Sequence, residues 1–363
     1  MTHNFRFAII SDLHIALPHT IWRHPSRFHW VEVSIPALEV VLQELAQLDL
    51  DFLLVPGDLT QHGEPENHAW LSNRLAQFPC PVYVIPGNHD VIERSPTDQS
   101  IGLADFPIYY RKFGYADVDT PYYSREILPG VQLIGLNSNG FDVEGKQLYA
   151  GLLDATQFLW LQQTLIPLRD HLVMVMVHHN VIEHLPDQSG NALGRRYMIE
   201  SSAALLRLLQ AAGVRLLFTG HLHIQDVAQS QSVYEITTGS LVSYPHPYRV
   251  LRFEQDDQGN QQLKIESRRV MAIPEQPNLQ HLSREWLGDR SLPLMLQLLT
   301  QPPLNLPDAL AKELVPSLRY FWADIASGDA TFNFPQFPPL VEQYFKNWSR
   351  SMPTVSPTLS TTD

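Results

Sequence analysis

Five short clusters set imidazole, carboxylate and amide side chains side by side: Asp12-Leu13-His14, Gly57-Asp58, Gly87-Asn88-His89-Asp90, His178-His179 and Gly220-His221-Leu222-His223. Nitrogen and oxygen donors without a thiolate suit manganese, iron, zinc, cobalt or nickel, not an iron–sulfur cluster or a zinc finger. There are too many such donors for one tetrahedral ion, and they fit two ions that share a bridge. Asp58 is the natural bridge, because each carboxylate oxygen can serve one ion. A pair of ions about 3.5–4 Å apart clamps a phosphoryl group, lowers the pKa of a trapped water and stabilises an in-line displacement. Asp12/His14 and His221/His223 alternate, so each pair points two donors the same way if the backbone stays extended.

These donors need elements to bring them together. β-rich runs at Phe5–Ser11, Asp51–Val55, Val82–Ile85, Val131–Asn137, Leu172–Val177 and Val214–Thr219 interleave with helical periodicity, the pattern of an α/β protein. Each cluster follows one of these runs. In a wound sheet the carboxyl ends of the strands form the crevice that takes ligands, so the five loops are expected to meet on one edge. Ile35, Leu38, Val41, Leu42, Leu45 and Leu48 form one apolar helix face. Asp154 with Gln157 reads as a capping box for a helix through Leu165, and Ser201 or Ser202 can cap another that Gly213 ends. Further β-like segments follow to about Val270. Residues 278–350 turn helical, rich in Leu and Trp and punctuated by proline, and 351–363 is Ser/Thr/Pro-rich and expected to be disordered.

Composition narrows the classes. The 363 residues allow roughly two domains at about 150 residues each, and 44% hydrophobic content excludes a mostly disordered chain. A formal net charge of −13 repels a phosphate backbone, so nucleic acid is not expected as a partner. Cys80 is the single cysteine and makes no intramolecular disulfide. The N-terminal residues lack the pattern of a signal peptide, and no run approaches the ~18 apolar residues of a membrane span, so a cytoplasmic location is expected. The connection His19–Trp30, with Trp22, Arg23, His24, Arg27 and His29, reads either as a surface loop or as a lid whose Trp stacks on a base and whose Arg pairs with phosphate. Arg195-Arg196 is a weaker element of the same kind. Gly140 to Gln147 lacks the Ser/Thr of a phosphate loop and reads as a turn, and His62 and His68 read as solvated helix-start residues.

The ordered set Asp-x-His, Gly-Asp, Gly-Asn-His-Asp, His and Gly-His-x-His resembles the calcineurin-like metallophosphoesterase superfamily over residues 5–223. Gly57-Asp58-Leu59-Thr60-Gln61-His62-Gly63-Glu64 and the Gly151…Trp160-Leu161 segment are most similar to its class III cyclic-nucleotide phosphodiesterase branch. The resemblance implies a four-layer α/β/β/α sandwich at 1–270, followed by a helical C-terminal extension at 271–350. It implies two divalent or mixed-valence transition-metal ions (manganese, iron or zinc), the first on Asp12, His14 and His223, the second on Asn88, His178 and His221, with Asp58 bridging. His178 is preferred over His179 by the family pattern. His89 would assist the leaving group, with Asp90 orienting it. The implied reaction is hydrolysis of a small phosphodiester, a 3',5'-cyclic nucleotide among the candidates, by attack of a metal-bound hydroxide. Phosphomonoester or nucleotide pyrophosphate hydrolysis is the alternative chemistry. A non-catalytic scaffold on the same fold would be expected to have lost a ligand, and none is missing. The ligands all precede residue 224, so the extension is expected to be dispensable for the metal centre. Its apolar helices are expected to pack on the core or on a second copy of the chain, which makes a homo-oligomer conceivable.

Overall fold

The computed structural model describes residues 3–24, 27–190, 192–328 and 330–349, with a two-residue strand at Thr358–Leu359; the expectation of disorder at 351–363 otherwise lies outside the described residues. The strands, in chain order, are β1 (Asn4–Ile9), β2 (Phe52–Val55), β3 (Val82–Val84), β4 (Tyr123–Leu128), β5 (Val131–Gly135), β6 (Leu172–Met176), β7 (Leu216–Thr219), β8 (Asp226–Ser230), β9 (Val233–Thr237), β10 (Pro247–Gln255), β11 (Gln261–Arg269) and β12 (Thr358–Leu359). They form two sheets, ordered β12-β11-β10-β1-β2-β3 and β4-β5-β6-β7-β9-β8. β1, β2 and β3 run parallel, as do β5, β6, β7 and β9, and the remaining pairings are antiparallel.

The central strands are buried on both faces, which is why β2 (Phe-Leu-Leu-Val) and β7 (Leu-Leu-Phe-Thr) read as unbroken runs rather than alternations. The sheets pack face to face through aromatic rings: Phe7 of β1 stacks on Phe52 at 4.9 Å and meets Phe218 of β7 edge-on at 5.7 Å. Helices Ser34–Leu45 and Pro65–Leu75 bury Leu38, Val41, Leu42, Leu45, Leu71 and Leu75 in the same core as the first sheet. Helices Ala155–Leu165 and Ser202–Ala211 bury Leu161, Leu165, Leu205 and Leu209 with β5, β6 and β7 in a second core. The result is the expected α/β/β/α sandwich. Asp154 caps its helix as expected, accepting Gln157 N–H at 2.8 Å. Ser201 stands at the other N-cap position but makes no side-chain capping bond. The sequence reading omitted β4. It is an edge strand, and Arg125 and Glu126 at its centre are the kind of charge that protects an edge while erasing the hydrophobic signal.

The C-terminal helices Leu279–Thr300, Asp308–Leu314, Phe321–Ser327 and Pro339–Lys346 bury Met295, Leu299, Leu314, Phe321 and Phe345 in a third core. Leu222, from the last donor cluster, and Ile224 just after it are part of that core. The side chain between His221 and His223 is therefore packed among the helices of the extension, which places the extension directly against the donors. The long helix also grips the 27–30 connection. Trp286 Nε1–H donates to the Phe28 carbonyl at 2.9 Å, Arg290 Nε–H donates to the Arg27 carbonyl at 2.8 Å, and Trp286 stacks on Trp30 at 5.5 Å.

Candidate metal centre

The donor clusters leave the carboxyl ends of β1, β2, β3, β6 and β7, and the parallel strands carry them to one end of the sandwich. The backbone there is not extended. Asp12, His14, Asp58, His221 and His223 all have positive φ, between 43° and 64°. Non-glycine residues adopt this region at a cost and gather at functional sites when the surrounding fold holds them there. The donors at i and i+2 thus converge through left-handed turns, which corrects the extended-strand expectation. Gly87 permits the closest approach: a Cβ at that position would lie 2.2 Å from the Asp58 backbone nitrogen and its Oδ1.

The side chains fall into two groups around Asp58. In the first, His223 Nε2 is 3.2 Å from Asp12 Oδ1 and 3.4 Å from His14 Nε2, and His14 Nε2 is 3.7 Å from Asp58 Oδ2. In the second, His178 Nε2 is 3.3 Å from Asp58 Oδ1 and 3.1 Å from Asn88 Oδ1. His178 Nδ1–H donates to the Pro56 carbonyl at 2.8 Å, which fixes the tautomer and leaves Nε2 aimed inward. His221 closes the second group, its donor nitrogen lying within 4.8 Å of those of Asp58 and His178. His221 Nε2–H is held by the Arg196 carbonyl at 3.2 Å, so Nδ1 keeps the lone pair. The adjacent His179 turns away and pairs Nδ1 with Ser138 Oγ at 2.8 Å.

The electrostatics match a cation site. Burial, together with His29 and His89 nearby, holds His14 well below the ordinary imidazole range. Burial, with His179 and His178 beside it, does the same for His221. Burial works against the Asp58 charge, but His178 and His89 outweigh it and keep the carboxyl well below its usual range. Neutral His14 and His221 beside an ionised Asp58 are the protonation states that metal binding requires. Burial works against a charged His178, but Asp58 outweighs it and raises the ring to about 9, so it gives up a proton when an ion binds. The donors are imidazole nitrogens with carboxylate and amide oxygens, and the ring nitrogens His14 Nε2 and His223 Nε2 face one another at 3.4 Å. The residues therefore fit two transition-metal ions sharing Asp58.

Around this centre, His89 N–H donates to Asp58 Oδ1 at 2.8 Å, and its Nδ1–H donates to the Gln61 carbonyl at 2.8 Å, leaving Nε2 for the cleft. Asp90 does not supply that orientation. Its buried carboxylate accepts from Thr60 N–H and Gly87 N–H, each at 2.8 Å, and so ties together the two loops that carry Asp58 and Asn88. Burial, with Asp58 nearby, pushes the Asp90 carboxyl up to about 7. His62 and His68 are not solvated as expected. His62 stacks against His89 at 5.4 Å, and burial, with His89, pulls it down to about 4. His68 is buried, held by Tyr110 Oη at 2.9 Å and the Asp90 carbonyl at 3.1 Å. Gln147, in the segment read as a turn, donates to the Asn88 carbonyl at 2.7 Å and so steadies that donor. No local pattern around Gln147 signals this role.

The centre opens into a cavity of about 820 Å³. Trp22, Tyr149 and Tyr197 line it, Arg27, Lys146 and Arg196 bring positive charge, and Leu294 and Trp322 of the extension form its far wall. No helix among the described residues is long and apolar enough to cross a membrane.

A family model for calcineurin-like phosphoesterases matches residues 5–225. Among curated proteins, the chain is 25% identical over 206 residues to a probable glycerophosphodiester phosphodiesterase of Arcobacter nitrofigilis, covering 52% of this chain and 63% of that protein. It is also 25% identical over 203 residues to a 3',5'-cyclic-nucleotide phosphodiesterase of Nostoc sp., covering 55% and 66%. The matched region thus spans somewhat less than two thirds of these relatives. In three dimensions the chain is similar to a dimetal phosphatase from Danio rerio, with TM-score 0.50 and 15% identity over 73% of this chain and 98% of that one, a likeness of fold.

Proposed function

We propose that this chain, which belongs to the calcineurin-like phosphoesterase family, is a metal-dependent phosphoric ester hydrolase that cleaves small phosphodiesters, with 3',5'-cyclic nucleotides as the leading substrate class. The observation that carries the diester reading is the wall facing the centre. Trp22, Tyr149, Tyr197 and Trp322 give an aromatic and apolar lining to a cavity much larger than a phosphate needs. A diester brings a second organic substituent that such a wall can hold, and a nucleobase stacks on aromatic rings. The two phosphodiesterase relatives point the same way, and this reading extends their activity to this chain.

Asp12, His14, Asp58 and His223 would hold one ion, and Asp58, Asn88, His178 and His221 the other. Ions bound there supply Lewis acidity toward phosphoryl oxygens and make water acidic enough to act as a nucleophile near neutral pH. The remaining work falls to the chain. Gln61 fixes His89 through Nδ1, so a proton on Nε2 can pass to the departing oxygen. Asp90 is a positioning residue, since it braces the loops of Asp58 and Asn88 without touching His89. Lys146 and Arg196 draw an anionic substrate into the cleft of an otherwise acidic protein, while the charge of Arg27 is already met by Glu32 in a bidentate pair at 2.6 Å.

The test pairs His89→Ala with a panel of metal-reconstituted assays on cyclic nucleotides, an aryl diester, glycerophosphodiesters, an aryl monoester and a nucleotide diphosphate. Turnover of diesters with alkoxide leaving groups should fall about 10²–10⁴-fold, with metal content retained. The loss should be much smaller for the aryl diester, whose leaving group needs little protonation. Equal losses would remove His89 from the acid role, and a wild-type preference for the monoester would remove the diester reading.

A further inference from the structure

His29 stands at the first donor group although it belongs to none of the five clusters. Its ring lies 4.1 Å from that of His14 and 4.7 Å from that of His223, centre to centre. One nitrogen from each of the three rings falls within 4.8 Å of the other two. Among the described residues the His29 ring takes no hydrogen bond, so its lone pair has no competing partner.

We propose that His29 is an additional protein ligand of the first ion. The inference rests on the paired-ion reading above but concerns a residue outside that ligand set. With it, the first group offers three imidazoles and two carboxylates, counting Asp58, against two imidazoles, one amide oxygen and one carboxylate in the second. The two positions are then chemically unequal, and the nitrogen-rich one favours metals such as zinc or cobalt relative to manganese more strongly than its neighbour.

The chain around His29 is built to present it. The two preceding carbonyls, Arg27 and Phe28, are held by Arg290 and Trp286 of the long C-terminal helix, and the following residue, Trp30, stacks on Trp286. Arg290 also lies over the Trp286 ring, 3.2 Å from its centroid, which locks the clamp from the other side. The C-terminal helices thus reach the metal centre twice, through Leu222 behind the last cluster and through this clamp on the His29 segment.

The full-length chain, stripped of metal, is titrated with Co²⁺ by calorimetry and visible absorption. Wild type should show two binding steps. His29→Ala should weaken one step by about 10- to 100-fold, at least the loss typical for removing a residue that merely supports a ligand. It should change the absorption band of that step and leave the other step alone, with the far-ultraviolet circular dichroism of a folded protein. Trp286→Phe keeps a ring for stacking but loses the donor to Phe28, and should weaken the same step by a smaller factor. Two unchanged steps in folded His29→Ala protein, with only a raised KM, would overturn the proposal and place the ring on the substrate. Equal weakening of both steps would overturn it too, as a general loosening. If wild type hydrolyses no phosphodiester, the substrate reading fails, while a His29-dependent step still supports this one.

Discussion

A buried charge cluster behind the second donor group makes a pH-dependent stability that can be worked out from its neighbours. His184 Nδ1–H donates to Asp226 Oδ2 at 2.7 Å, and its Nε2 lies 3.1 Å from Glu235 Oε1. Glu235 in turn accepts from Val181 N–H at 3.0 Å and Ile182 N–H at 2.6 Å, bracing the segment that follows His178. Burial works against a charged His184, but Glu235 and Asp226 outweigh it and raise the imidazole to about 9, from an ordinary 6.5. That gap corresponds to about 3 kcal/mol of stability. The sign follows from proton binding: the folded state holds the proton more tightly than the unfolded chain. The contribution is therefore complete below pH 6.5, declines as pH rises from 6.5 to 9 and is gone above 9. Urea unfolding of wild type and His184→Gln at intervals across that range measures it, and the difference between the two curves cancels the titrating groups that do not touch His184. The variant should be the less stable below pH 6.5, because two buried carboxylates lose their cation. The gap should narrow by about 3 kcal/mol toward pH 9. Parallel curves across the whole range would show that His184 is not held protonated and would refute the argument.

Asp58→Ala should abolish both bound ions and all activity together, because its two oxygens face the two donor groups at 3.7 and 3.3 Å; elemental analysis that still finds two ions would contradict this. Phe345→Ala empties a fully buried position packed on Phe321, Phe334 and Phe337, and should cost about 3–5 kcal/mol in denaturant unfolding. A loss below about 1 kcal/mol would mean that the C-terminal helices do not pack as described.

The donors were legible in the sequence because ligand chemistry is local: Asp12, His14, Asn88 and the Gly-His-Leu-His run declare themselves by residue type and by following apolar runs. The left-handed turns at five of them were not, since an Asp-x-His triplet looks the same whether its backbone is extended or curled. His29 was visible only as one member of an aromatic and basic connection. Its place beside His14 depends on Trp286 and Arg290, more than 250 residues away, and no local pattern encodes such a contact. His68 misled for a similar reason: its burial comes from Tyr110 and Asp90, and its immediate neighbours read as a solvated helix start. The helical character of 279–346 was plain from composition. That Leu222 would be buried among those helices was not, because an apolar residue between two histidines carries no address for its partner.

The pairing of β1 with β10 sets a timetable for synthesis. Asn4 is registered against Glu254, and the turn at Asp12 is clamped by Ser240, whose hydroxyl donates to the Asp12 carbonyl at 2.9 Å. The first donors to leave the ribosome thus wait for a strand made about 240 residues later, roughly 10–50 s at ~5–20 residues per second. Throughout that interval β1 has an open edge and its apolar side chains lack their antiparallel neighbour, a template for wrong pairing. Asp12 and His14 meanwhile lack the clamp that curls them inward. The bond from Ser240 to the Asp12 carbonyl can thus form only once the chain has closed on itself, and the nascent segment most open to wrong pairing is the one that carries Asp12 and His14.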